Sequence, residues 1–290
     1  MNIALTGSSG LIGSQLLIDL SEMGHNILCI SSSISNTKEK NIYSYEELKF
    51  GDINFKADCL LHLASINSDL QESEVSLEVD LLEKAMNIMK TLECKHLVFF
   101  STIKVYGENS LTFQEFKEDS SLEPRCFYGE AKKKCEEKIA ENSKNNSFKY
   151  IILRLPPIFI NNPNSNIGKL FKIVQKGLPV PSFSIGNENK RSFLSYDLLI
   201  YVLSTIFSDL SKIKNTTFNI SDTKAISTND LFKKIGSNEG KRVRIFYLPD
   251  IVFTFLMKVN RLQLILIKLF GNFYISNAKL RQEFKIPDHF

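Results

Sequence analysis

The sequence predicts an α/β fold, a doubly wound parallel sheet with a smaller C-terminal lobe interleaved with it. Three observations carry that reading: short apolar runs recur through residues 1–155, helix-patterned stretches separate them, and the composition changes after Leu155. The runs lie at 2–6 (NIALT), 26–31 (NILCIS), 58–63 (DCLLHL), 96–101 (HLVFFS) and 149–154 (KYIILR). Runs this short and this apolar read as strands covered on both faces of a parallel sheet. Helical character at 11–23, 74–91 and 128–142 supplies the crossovers. The stretch 32–51 is polar and irregular, so the second crossover is expected to be short or loop-like. Past Leu155, Pro156, Pro157, Pro163, Pro179 and Pro181 alternate with Asn-rich turns. A strand near 217–220 is expected to return to the main sheet, with a helix at 228–236 and a strand at 242–247. The expected division is residues 1–155 plus the returning strand, then residues 156–290 as a lobe supplying substrate contacts.

Composition excludes several classes. The 290 residues are 43% apolar and 23% charged, an ordinary globular mix with ample length for a core. Lys+Arg 36 against Asp+Glu 32 leaves +4, spread along the chain rather than gathered in a basic stripe, which argues against a nucleic-acid binder. The 22 Phe and 9 Tyr argue against disorder. The five cysteines form no C-x-x-C pair and the four histidines show no ligand spacing, so neither a disulfide framework nor a metal site is expected. The N-terminal MNIALTG enters a strand-like run without a basic leader, and a cytoplasmic location is expected. Residues 249–274 are strongly apolar, but Lys258, Arg261 and Lys268 interrupt them, so no transmembrane segment is expected. They read either as amphipathic helices covering a core or subunit contact, or as a helix lying on a membrane surface.

The first run leads directly into Gly7-Ser8-Ser9-Gly10-Leu11-Ile12-Gly13, and a helix follows. Glycines let the backbone turn tightly and approach a pyrophosphate, whose charge meets the helix N-terminus. A dinucleotide cofactor is the expected ligand. The second run ends at Ser31, where a site committed to NAD usually places Asp or Glu. Lys38 and Lys40 follow and would suit a 2′-phosphate, so NAD and NADP both stand, with the balance tilting to NADP.

Tyr128-Gly129-Glu130-Ala131-Lys132 sets a phenol and an ammonium four residues apart, on one helix face. A nearby cation favours phenolate and lowers a tyrosine pKa from about 10 toward neutrality. Upstream, the run at 96–101 ends in Ser101-Thr102, and strand carboxyl ends face the ligand crevice of a parallel sheet. Thr102 is then placed either to bind a substrate oxygen, with Tyr128 as its acid/base partner, or to cap the following turn.

Together, T-G-x-x-G-x-x-G, a hydroxyl residue four before Tyr106-Gly107, and Y-x-x-x-K resemble the extended short-chain dehydrogenase/reductase family, which includes nucleotide-sugar epimerases, dehydratases and reductases. The resemblance covers nearly the whole chain and implies a Rossmann-type fold. It implies catalytic roles for Thr102, Tyr128 and Lys132, the last also holding the nicotinamide ribose. Gly7, Gly10, Leu11, Ile12, Gly13, Ser31, Asp52, Ile53, Leu63, Ala64, Ser65 and Pro156 would meet the cofactor, with Asp52 accepting from the adenine amino group. Thr102, Lys104 and Arg191 would meet the substrate, Arg191 at the nucleotide diphosphate. A homodimer through helices at about 74–91 and 128–142 is also implied, with Leu77, Leu81, Leu82, Ala85 and Met89 as an apolar stripe.

Family dehydratases carry Asp-Glu after the threonine, where Ile103 and Lys104 stand here, so a dehydratase is not expected. Ser101-Thr102-Ile103-Lys104-Val105-Tyr106-Gly107-Glu108 looks like a bacterial subgroup whose members include reductases of 4-keto-6-deoxy-N-acetylhexosamine nucleotides. Pro157 departs from the substrate-contacting Asn of many epimerases, Ile160 from a turn glycine, and Asp80, Glu83 and Lys84 from the Asn-Val-x-Gly-Thr helix. The expected activity is reduction of such a UDP-linked keto sugar in surface polysaccharide synthesis. A UDP-sugar 4-epimerase is the alternative, and a non-catalytic cofactor-binding sensor the second.

Overall fold

The computed structural model describes residues 1–31, 42–50, 53–66, 69–146, 148–160 and 166–290. In chain order the first elements are β1 (Asn2–Thr6), α1 (Leu11–Glu22), β2 (Asn26–Ser31), β3 (Ile42–Ser44), α2 (Tyr45–Phe50), β4 (Cys59–His62), α3 (Val75–Thr91), β5 (His96–Thr102), β6 (Glu115–Phe116), α4 (Phe127–Asn146) and β7 (Lys149–Leu155). There follow α5 (Asn166–Gln175), β8 (Val180–Ser182), α6 (Ile185–Glu188), α7 (Tyr196–Ser208), β9 (Thr216–Asn219), α8 (Thr228–Asn238), β10 (Ile245–Tyr247), α9 (Asp250–Leu256), α10 (Asn260–Phe270), β11 (Tyr274–Ile275) and α11 (Ala278–Phe284).

The main sheet has seven strands in the order β3-β2-β1-β4-β5-β7-β9. The pairings of β1 with β2 and β4, of β2 with β3, and of β5 with β4 and β7 are parallel. The order reverses between β1 and β4, which places the ligand crevice of a doubly wound sheet at the carboxyl ends of those strands. Leu28, Leu60, Leu97, Phe99 and Ile152 from the strands pack with Leu82, Ala85, Met86 and Met89 of α3 and Ile139 of α4 in one core. Most of the apolar stripe expected to face a second subunit is therefore consumed by the helix's own sheet. Leu77 stays exposed.

The chain falls into two units: residues 1–107, 121–155 and 200–218 form one, and 108–120, 156–199 and 219–290 the other. Within 32–51, where an irregular loop is expected from sequence, residues 42–50 form β3 and α2. The cause is a capping box: Glu47 N donates to Ser44 Oγ at 3.1 Å and Ser44 N donates to Glu47 Oε2 at 2.6 Å. Those bonds favour the charged form and hold the Glu47 carboxyl below its ordinary range. In the second unit, β10 pairs with β8 and β11 with β6, both parallel. Phe171, Phe193, Leu231 and Ile235 form the core of α5 and α8. Cys29, Cys59, Cys94 and Cys135 are buried free thiols.

A polar network pins α4 to the sheet in the first unit. The β5/β7 register sets Ser101 beside Arg154. Both turn to Glu136 of α4: Ser101 Oγ donates at 2.5 Å, and Arg154 donates from Nε and Nη2 at 3.1 and 2.6 Å. Arg154 Nη1 also donates to Tyr106 Oη at 2.7 Å. Burial alone would depress the Arg154 guanidinium, but Glu136 and Tyr106 outweigh it and raise its pKa. Removing one partner of such a pair strands a buried charge. Glu136→Ala is therefore expected to cost about 3–5 kcal/mol in urea unfolding. An unchanged midpoint would refute this role.

Candidate active site

Gly7 turns at φ +76°, and a Cβ there would lie 2.7 Å from Ala64 N, so only glycine lets the loop lie against the end of β4. Gly13 packs beneath it, where a Cβ would sit 2.0 Å from Gly7 O. Gly10 occupies the N-cap of α1, and among the described residues no side chain caps that helix. Its first N–H groups are left for an anion, as a pyrophosphate requires. A cleft of about 800 Å³ opens here, lined by Gly7, Gly10, Ser31, Leu63, Ala64 and Ser65 together with Tyr45, Asp80 and Lys84. A buried hydroxyl on its wall, Ser65 Oγ, has no hydrogen-bond partner among the described residues, and the buried Tyr45 hydroxyl lies beside Thr6. An orphaned buried hydroxyl beside a glycine cradle fits a ribose and pyrophosphate.

The other expected cofactor residues lie as follows. Leu11 and Ile12 begin α1, Ile53 packs at the edge of the sheet core, and Pro156 is buried directly after β7. Asp52, Lys38 and Lys40 lie outside the described residues. Tyr45 escaped the sequence reading because the stretch around it carries no strong apolar period.

The reactive groups gather at the end of β5. Thr102 is buried there, and its Oγ1 accepts from Lys104 N at 3.3 Å, so it also caps the short turn Ile103–Val105. The start of α4 lies hard against that turn: a Cβ on Gly129 would come within 2.5 Å of Lys104 O. The close approach brings Tyr128 and Lys132 to the strand end that carries Thr102.

Lys132 is buried, with its Nζ 5.9 Å from the Tyr128 ring centroid and 4.8 Å from that of Phe99. Its partner is a residue the sequence reading did not single out. Lys132 Nζ donates to Glu78 Oε1 at 2.9 Å, and Glu78 Oε2 accepts from Ile66 N at 2.9 Å. The signal was the register of α3: Val75, Glu78, Leu82, Ala85 and Met89 are all buried, which puts one carboxylate on the inward stripe. His62 stacks on Phe99 at 5.7 Å and shares a 2.7 Å hydrogen bond with Thr6. Burial, reinforced by Lys132, drops the His62 pKa to about 3, so it stays neutral.

These surroundings correct one expectation. Burial raises the Tyr128 pKa, Lys132 opposes it, and Glu78 adds to the rise. The net shift is upward, so the lysine acts in the expected direction without prevailing. Burial would lower the Lys132 pKa, but Tyr128 and Glu78 together raise it. At neutral pH the site holds a protonated phenol beside a charged ammonium.

In the second unit, Arg191 is half-buried, bridged through its backbone to Ile226 and Phe273, with its guanidinium 5.2 Å from the Phe193 ring centroid. Burial pushes its pKa down to about 10, and it makes no ion pair among the described residues. Lys104 is half-buried in the turn after Thr102.

A glycine cradle at the end of one strand with a Thr, Tyr, Lys set at the end of another is the arrangement of the extended short-chain dehydrogenase/reductase class. The chain belongs to the NAD dependent epimerase/dehydratase family, whose sequence profile it matches over residues 3–221. It is 27% identical over 252 residues to the UDP-glucose 4-epimerase of Vibrio cholerae, spanning 81% of this chain and 74% of that one. Its fold is similar to that of the UDP-N-acetylglucosamine 4-epimerase from Bacillus cereus, with TM-score 0.76 and 19% identity over 100% of this chain and 94% of that one. The UDP-glucuronic acid 4-epimerase from Bacillus cereus, solved in complex with NAD, gives TM-score 0.73 at 18% identity over 100% and 94%.

Two outcomes follow from the geometry. Tyr128→Phe should lower turnover by ~10²–10⁴-fold while cofactor affinity stays near that of the parent, measured by calorimetry. Glu78→Gln removes a negative charge that helps hold the Tyr128 pKa up, so the alkaline limb of the pH–rate profile should move to lower pH. A limb that stays in place would show that Glu78 does not act on the phenol.

Proposed function

We propose that the chain reduces a UDP-linked 4-keto-6-deoxy-N-acetylhexosamine at C4, with Tyr128 as the proton donor. The observation that carries this is the placement of Tyr128, set by Gly129 against the turn that follows Thr102 and beside Lys132, where burial raises its pKa and favours the proton-donating form. Reduction needs a proton donor at the start of the cycle, whereas oxidation of a sugar hydroxyl needs a base. Ile103 and Lys104 offer no acid for eliminating water, which speaks against the dehydratase branch of the family.

The residues divide the work. The Gly7–Gly13 loop and the α1 N-terminus would hold the pyrophosphate, Tyr45 and Ser65 the ribose hydroxyls, and Lys132 the nicotinamide ribose. When bound, the nicotinamide supplies the hydride. Thr102 Oγ1 donates to the C4 oxygen as charge develops on it, and Tyr128 Oη delivers the proton. Lys132 stabilises the phenolate left behind until solvent reprotonates it. Glu78 holds Lys132 in place through that interval. The Arg191 guanidinium, unpaired among the described residues, is assigned to the nucleotide diphosphate, which its planar fork suits. A homodimer through the outer faces of α3 and α4 belongs to the same reading.

A UDP-sugar 4-epimerase is the second reading, favoured by the 27% identity to the Vibrio cholerae enzyme. It would use the same residues, with Tyr128 first as base and then as acid. One assay separates the two. The protein is mixed with a UDP-4-keto-6-deoxy-N-acetylhexosamine and NADH or NADPH, and absorbance is followed at the nicotinamide band. Stoichiometric loss with formation of a 6-deoxy sugar is expected. No loss, with interconversion of UDP-glucose or UDP-N-acetylglucosamine and its C4 epimer, would give the second reading.

A further inference from the structure

Helices α9 and α10 are apolar on both faces. Inward, Val252, Phe253 and Leu256 of α9 and Leu266 and Phe270 of α10 close around Phe183. Its ring meets Phe253 at 5.1 Å and Phe270 at 5.6 Å in edge-to-face contacts. That packing accounts for the inner faces alone. Outward, Ile251 is 76% and Phe255 67% exposed on α9, and Leu264 is 63% and Ile265 47% exposed on α10. A helix that is apolar all round normally lies in a core or in lipid.

Cations prevail on this surface, since the one acid of the two helices, Asp250 at the start of α9, is hydrogen-bonded by Ser184. The outward stripe of α9 reads Ile251, Phe255, then Lys258 just past its end, and that of α10 reads Arg261, Leu264, Ile265, Lys268. The three cations are exposed and make no ion pair among the described residues. No Asp or Glu occurs from residue 251 to residue 282. Apolar side chains ringed by long cations are the pattern of a helix lying in the headgroup region, its lysine and arginine stems buried and their charges at the level of the phosphates.

We propose that α9 and α10 dock the protein on an anionic bilayer surface. Neither helix is long enough to cross one: no helix among the described residues is both long and apolar enough. A second copy of the chain fits the face less well. A two-fold interface would set Lys258, Arg261 and Lys268 against the same three cations of the partner, and the one acid of α9 and α10, Asp250, is already engaged by Ser184. Anionic headgroups supply the counter-charge that the patch lacks. The docking stands independently of the reaction assigned above.

The test is co-sedimentation of the full chain with phosphatidylcholine vesicles, with and without phosphatidylglycerol, at low and high salt. The chain should pellet with the anionic vesicles at low salt, with release at high salt and little pelleting on phosphatidylcholine alone. Changing Lys258, Arg261 and Lys268 together to Gln should weaken the partition about a hundredfold. The pair Ile251→Ser and Phe255→Ser, both at exposed positions, should abolish pelleting while circular dichroism stays that of the parent. Equal pelleting on both vesicle types, or none on either, would overturn the proposal. So would a molecular mass by light scattering that halves in the double serine variant without any vesicle binding, since that makes a second copy the occupant.

Discussion

The bidentate contact between Glu136 and Arg154 is the constraint on which the arrangement at the sheet's end depends. It joins α4 to two adjacent strands at once, because Ser101 of β5 and Arg154 of β7 share the same carboxylate. One turn upstream on α4, Lys132 faces the same way, and one turn further stands Tyr128. A helix free to slide by a fraction of a turn would carry the phenol away from Thr102. The clamp prevents this, and Gly129 allows the remaining approach by leaving room for Lys104 O. Stability and chemistry thus share one helix: the inner half is anchored by charge, and the outer half carries the proton.

A second buried carboxylate sets the electrostatics. Glu78 neutralises Lys132 in the absence of other charge, so the ammonium can be buried without an isolated charge in low dielectric. The same pairing weakens the field Lys132 exerts on Tyr128 and favours the protonated phenol. His62 stays outside this balance, because burial and Lys132 keep it neutral. Charge at the site is therefore carried by one residue from each of two helices, Glu78 and Lys132, which is why one substitution on α3 is felt on α4.

Much of the sheet was legible because buried parallel strands leave an unambiguous mark. NIALT, NILCIS, HLVFFS and KYIILR are apolar on both faces, and each became a strand within a residue of the expected ends. The glycine loop was legible for the same kind of reason, since only Gly7 tolerates its backbone angle and its nearness to Ala64. The β3–α2 segment was missed although Ser44 and Glu47 spell out a capping box, because its elements are too short to show a period. Glu78 was missed because the expected stripe of α3, Leu77, Leu81, Leu82, Ala85 and Met89, counted only apolar residues and began at the exposed Leu77. A carboxylate on the inward face is visible only once the phase of the stripe is fixed by packing.

The buried thiols have a consequence of their own. Burial raises the pKa of Cys94 to about 11 and of Cys135 to about 12, and pushes Cys59 well above its ordinary value. In the native fold these sulfurs are thiols rather than thiolates, and so they are poor nucleophiles toward alkylating agents and oxidants. They sit on β4, α4 and the approach to β5, the innermost parts of the first unit. Modification at these three positions therefore has to wait for the sheet to open. Cys126 is only half-buried, so it is the slow labelling of these three buried sulfurs that serves as a clock for global unfolding.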